Sequence, residues 1–159
     1  MSATRNILGA SSILLFCLTA GPAAAQAPSY GAPVNLATAK RIAAGTIAEC
    51  QKNGWNVAVA IVDTHGLLVY YEKMDDTQTA SPTIAIEKAR SAAMFRRSTR
   101  VMEDVVNKGR TSFLGIPLAT PITGGLPIVI GGKIAGGVGV SGVTSDQDEQ
   151  CAKAGLAAM

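Results

Sequence analysis

Residues 55–74, WNVAVAIVDTHGLLVYYEKM, decide the fold. Trp55 to Val62 is an apolar, β-branched run, and Leu67 to Met74 returns with the same character and two tyrosines. Between them stand Asp63-Thr64-His65-Gly66, four residues of turn chemistry, so the two runs read as the arms of a β-hairpin. Further along, Leu126–Ile130 and Lys133–Val140 flank Gly131-Gly132, which predicts a second hairpin closed by a tight turn. Strands joined by hairpins rather than by helical crossovers form an antiparallel sheet.

Helical patterns fill the remaining chain. Asn35 is a good N-cap, and Leu36, Ala39, Ala43, Ile47 and Cys50 follow at helical spacing until Asn53-Gly54 ends the run. Ser81-Pro82 places an N-cap before a proline at the first helical position, and the helix continues through Ile84, Ala85, Lys88, Ala89, Ala92 and Phe95. Ser98-Thr99 caps a shorter helix from Arg100 to about Lys108, stopped by Gly109. Residues 110–125, RTSFLGIPLATPITGG, read as a long irregular loop, a kind of segment that is more often functional than accidental. A last helix starts at Ser145, with Asp146, Asp148 and Glu149 in the first turn, where the helix dipole favours anions. The order α-β-β-α-α-β-β-α predicts an α+β domain: one antiparallel sheet from two hairpins, with helices packed on it.

Composition narrows the setting. The chain has 159 residues and a net charge of +3, too weakly basic for a nucleic-acid footprint. Its 16% charged residues and mean hydropathy of +0.27 exclude disorder. The first 25 residues read as a secretory signal: Arg5, an apolar run from Ile7 to Ala20, and Ala23-Ala24-Ala25 before an expected cleavage at Gln26. That run is shorter than the ~20 apolar residues a spanning helix needs. The expectation is a periplasmic or secreted protein with one domain over residues 26–159. Export leaves two cysteines, Cys50 and Cys151, which are either a disulfide between the first and last helices or two buried thiols.

Several motifs invite chemistry. Gly137-Val138-Gly139-Val140-Ser141-Gly142 matches a dinucleotide fingerprint, but no second βα unit and no suitably placed acid follow. Small residues on a strand instead let a helix, a ligand or a neighbouring subunit approach its backbone. His65, the sole histidine, is a candidate metal or haem ligand, or simply a turn residue. Lys88, Arg90, Arg96, Arg97 and Arg100 concentrate positive charge, either as a solvated face or as partners for a ligand carboxylate in a cleft. Lys88 sits among Ala85, Ala89 and Ala92, so its stem is expected to be buried and its ammonium to meet Asp63, Asp75 or a ligand. No nucleophile–base pair or two-histidine metal motif appears.

Taken in order, Trp55–Asp63, Lys73-Met74-Asp75, Ala85–Arg90, Phe95–Thr99, Gly124–Ile128, Gly139–Gly142 and Asp146–Glu149 resemble the GlcG/HbpS family over residues 36–159. The resemblance implies a profilin-like layered fold, a homo-oligomer, and haem binding for exported members, some of which sense haem or help degrade it. Other relatives belong to glycolate-use operons, to cobalamin-adenosylating enzymes, or act as a lyase on hydroxylamino-aromatics. The fold alone therefore does not fix the chemistry. Met74-Asp75, Lys88 and the loop from Arg110-Thr111 to Gly124-Gly125 correspond to the family's pocket region, with the Thr111 hydroxyl where a relative's has been placed near iron. Asp76 and Ser98 depart from the glycine and proline usual at their positions.

Three functions follow as expectations. One is an exported haem-binding protein that binds without turnover, using Met74, Lys88, Arg97, Thr111 and His65, with His65 as the candidate metal ligand. Another is a lyase- or isomerase-like enzyme using Lys88 with Asp63 or Asp75 as acid and base. The third is a non-catalytic oligomeric sensory or binding module, with Gly136–Gly142 at a subunit contact. The ligand is haem or a small aromatic or carboxylate molecule.

Overall fold

The computed structural model describes residues 26–159; the signal segment read at residues 1–25 lies outside the described residues. A short lead-in precedes α1 (Leu36–Lys52), β1 (Ala58–Val62) and β2 (Leu68–Lys73). Next come α2 (Ser81–Phe95), α3 (Thr99–Asn107), a single 3₁₀ turn (Thr111–Gly115), β3 (Gly125–Ile130), β4 (Lys133–Ser141) and α4 (Ser145–Ala157). Both hairpins form, and β1 joins β4 antiparallel at the centre, giving one four-stranded sheet in the order β2-β1-β4-β3. The α+β architecture expected from the sequence is the one observed.

Alternation along the two central strands sets the layers. On one face Val59 and Ile61 of β1, with Val138 and Val140 of β4, pack against Ile42, Ala43 and Ile47 of α1 and Ala152 of α4. On the other face the side chains shrink to Ala58 and Ala60 on β1 and Gly137 and Gly139 on β4, opposite Ala85, Ala89 and Ala93 of α2. A Cβ on Gly137 would overlap the carbonyl of Ala89, and one on Gly139 the carbonyl of Ala85. The glycine motif is therefore the seat of a helix. The subunit contact expected at Gly136–Gly142 is corrected: α2 covers Gly137 and Gly139, while Val62 and the Asn56–Val57 segment cover Gly136 and Gly142.

Boundaries moved where caps compete. Trp55 donates its N–H to Cys50 O, finishing α1, so β1 begins only at Ala58. Ser81 is the first helical residue rather than the cap; Ala80 holds that place, and the buried Ser81 hydroxyl accepts from Ser141 Oγ. Asp76 has a left-handed φ of 59°, which explains the glycine usual there, since a short polar side chain is among the few others that tolerate it. Ser98 caps α3 by accepting from Arg100 N, a service proline cannot give.

Cys50 of α1 and Cys151 of α4 are joined, with Cα atoms 5.7 Å apart and both residues fully buried. The bond closes a separation of 101 residues, which in the chain-entropy model contributes about 4.7 kcal/mol. The Cys50→Ser/Cys151→Ser double variant is expected to lose stability of about that size in urea unfolding.

Candidate functional site

Lys88 is 1% exposed, and its ammonium donates to Asp148 Oδ2 at 2.8 Å and to Val140 O at 3.0 Å. Asp148 is equally buried and also accepts from Val143 N at 3.2 Å and from Gly142. Burial pushes the Asp148 carboxyl above its ordinary range, against the pull of Lys88. The expected partners of Lys88 are thus corrected. Asp63 is committed to the β1–β2 turn, where its Oδ1 accepts from His65 N and Leu67 N, and Asp75 is exposed beside Met74. Lys88 and an aspartate from either place form no acid–base pair.

The rest of the acidic start of α4 is also engaged. Glu149 is 4% exposed and is reached by Arg100 Nε, Lys153 Nζ and Ser98 Oγ. Burial raises the Glu149 carboxyl, but the hydrogen bonds from Arg100 and Lys153 outweigh it and leave it below its ordinary value. Arg100 also binds Asp146. These acids stand at the start of α4, as expected, and there they also pair with Lys88 of α2 and Arg100 of α3.

The other candidates fall into three separate places. Met74 lines a cleft of about 380 Å³ with Ile47, Gln51, Asn56, Glu72, Lys73, Asp75 and Asp76, so that three carboxylates and one ammonium border it. His65 lines a second cleft, about 440 Å³, with Tyr30, Gly31, Thr64 and Met94. Arg97 and Thr111 are exposed elsewhere, on segments brought together by Phe95 and Phe113, whose ring centroids lie 6.3 Å apart.

The His65 cleft is built from the lead-in, the β1–β2 turn and the end of α2. Gly66, at φ 78°, lets the turn lie so close to α2 that a Cβ there would stand 3.0 Å from Met94 Sδ. Arg90 Nε pins the same turn through Gly66 O at 3.0 Å, and its other arm is held by Glu87. Opposite, the lead-in runs as a strap beside β4, with Ile134 N donating to Ser29 O, Gly31 N to Ile134 O and Val34 N to Ala135 O. Tyr30 of this strap donates its hydroxyl to Met94 O at 2.7 Å. Tyr30 and Met94 line this candidate cleft and were not singled out in the sequence, where an aromatic ring in an otherwise Pro/Gly/Ala lead-in was the one local oddity.

A family model described as "Haem degrading protein HbpS-like" matches residues 34–157, the whole of this layered domain. The chain belongs to the HbpS-like family. Protein GlcG of Escherichia coli K12 is 48% identical over 100 residues, covering 63% of this chain and 74% of GlcG. An HbpS double mutant from Streptomyces reticuli superposes with a TM-score of 0.75 at 28% identity, covering 87% of this chain and 97% of that one. A PduOC–haem complex gives a TM-score of 0.73 at 25% identity, covering 80% and 95%. The HbpS-like fold therefore includes a relative solved with haem bound.

Two outcomes are expected at this level. Lys88→Met or Asp148→Leu alone strands a buried charge and should lower unfolding free energy by about 3–5 kcal/mol, whereas the double replacement should recover most of the loss in urea titrations. Glu149, held below its unfolded value, contributes stability above the ordinary glutamate pKa of 4.5, and that contribution is lost as pH falls through its lower folded value. Glu149→Gln should therefore lower stability at neutral pH and flatten the acid limb of a pH–stability profile below about 4.5.

Proposed function

We propose that this chain is an exported haem-binding protein of the GlcG/HbpS type, periplasmic or secreted, that holds its ligand without turning it over. Membership of the HbpS-like family is the observation that carries this reading. A disulfide between α1 and α4 and a targeting-type N-terminus support export. The sealing of Lys88 by Asp148 supports binding over acid–base catalysis, because the lysine offered for such chemistry has no access to a substrate. Assembly into a homo-oligomer is part of the same proposal, supported by the exposed Leu114, Leu118 and Ile122 of the 110–125 loop.

Of the three places, the His65 cleft fits haem best. Haem needs an apolar slot, an iron ligand and cations for its two carboxylates. His65 offers an imidazole and Met94 and Tyr30 an apolar wall, while Arg96, over the Tyr30 ring, and Lys133, beside Gly31, have no carboxylate within 4.0 Å among the described residues. When bound, haem supplies an iron centre; the chain's part is to ligate it through His65, orient the ring and exclude water. In the Met74 cleft Glu72, Asp75 and Asp76 outnumber Lys73 and would repel those carboxylates, which leaves Met74 a weaker candidate. Arg97 and Thr111 offer a cation and a hydroxyl on an open surface.

Titration of the haem-free mature protein with haemin should give a saturable, shifted Soret band. His65→Ala should weaken binding by at least about tenfold and alter the band, while Thr111→Ala should leave it unchanged. Loss in Thr111→Ala alone would move the ligand to the 110–125 loop. A wild-type protein without a saturable band would instead favour a sensory or binding module that takes no haem.

A further inference from the structure

Cleavage after Ala23-Ala24-Ala25, expected of an export signal over residues 1–25, makes Gln26 the first residue of the mature chain. A glutamine in that place carries two groups able to react with each other, a free α-amine and its own side-chain amide. Joining the amine nitrogen to Cδ closes an unstrained five-membered ring. Whether the two groups meet depends on what else holds them.

The fold leaves both groups free. Gln26 is exposed, and among the described residues neither its backbone nor its side-chain amide has a hydrogen-bond partner. The strap is fastened only from Pro28 onward. Arg96 Nη1 donates to Pro28 O at 3.2 Å, Ile134 N to Ser29 O at 2.9 Å, and the Tyr30 hydroxyl to Met94 O at 2.7 Å. Gly31 N then donates to Ile134 O at 2.8 Å. Gln26 and Ala27 thus lie ahead of the first tie, so ring closure at Gln26 breaks no contact of the fold.

We infer that Gln26, once cleavage has made it the N-terminus, is a modification site that closes to pyroglutamate; the inference rests on the export reading and goes beyond it. The neutral α-amine attacks Cδ of its own side chain. A new N–Cδ bond forms, the Cδ–Nε2 bond breaks, and the amide nitrogen leaves as ammonia with the proton the amine gives up. Nothing is oxidised or reduced, and no co-reactant is consumed. The lactam removes one cation from the strap, against which Arg96 and Lys133 already stand with no carboxylate within 4.0 Å among the described residues. It also leaves no α-amine for an aminopeptidase, so the segment that carries Tyr30 is closed to stepwise trimming from its end.

The full chain, expressed in an exporting bacterial host, should be weighed intact after reduction of the Cys50–Cys151 bond. The expected mass is that of residues 26–159 less about 17 Da, one ammonia, with an N-terminus closed to stepwise chemical degradation. A peptidase specific for pyroglutamate should then expose a free amine at Ala27. Gln26→Asn could close only a strained four-membered ring, so it should keep its full mass. That control places the loss on Gln26 rather than on Asn53-Gly54, another pair from which ammonia can leave. An equal loss in the variant, or a wild-type chain whose Gln26 amine stays free after prolonged incubation, would overturn the lactam and leave export intact. A chain that keeps residues 1–25, or begins at any other residue, would overturn the reading of the signal and its boundary, and this inference with it.

Discussion

A lysine ammonium enclosed within a protein has to be neutralised where it lies, and the placement of three elements follows from that demand on Lys88. Its stem runs inward from α2, its Nζ reaches the end of β4 at Val140 O, and Asp148 meets it from the first turn of α4. Gly124, immediately before β3, passes so close that a Cβ there would stand 2.8 Å from Nζ. One charged contact thus fixes the register of α2 on the sheet, the start of α4 and the entry to β3. Desolvating two ions is expensive, so such a pair contributes more to selecting one arrangement than to net stability.

The two faces of the sheet solve different packing problems. Toward α1 and α4 the branched side chains of β1 and β4 build an ordinary apolar core, sealed by the disulfide. Toward α2 the side chains are pared to alanine and glycine until helix carbonyls rest on strand backbone. That close approach brings Lys88 within reach of α4, and it brings Met94, at the other end of α2, up to the His65 turn. The interior charge and the candidate ligand cleft are two ends of one helix placement.

Element types were legible in the sequence because their signals are local. The apolar, β-branched run ending at Val62, the Gly131-Gly132 turn and the Asn35 and Ser98 caps each act within a few residues, and all appear in the structure. Burial of Lys88 was legible too, from its alanine neighbours. Its partner was not, since Asp148 lies 60 residues away and its own local context suggested a helix-dipole role instead. The candidate cleft escaped for a similar reason. Tyr30 and Met94 meet only once the lead-in has added itself beside β4, and nothing near Tyr30 announces a bond made 64 residues later. Arg96 and Arg97 are indistinguishable in sequence, and only the left-handed turn at the helix end separates their directions.

The bond between α1 and α4 also orders events in time. Cys151 is made 101 residues after Cys50, so through most of synthesis the first thiol has no partner. The layers must gather first: the central β1–β4 pairing is itself a contact between distant parts of the chain, and such contacts form slowly. Oxidation then fastens two helices that folding has already brought together. Once made, the bond is enclosed, with neither sulfur residue exposed, so reducing agents in the surroundings reach it only when the domain opens. The covalent link is in this sense a record of completed folding, written last and erased only by unfolding.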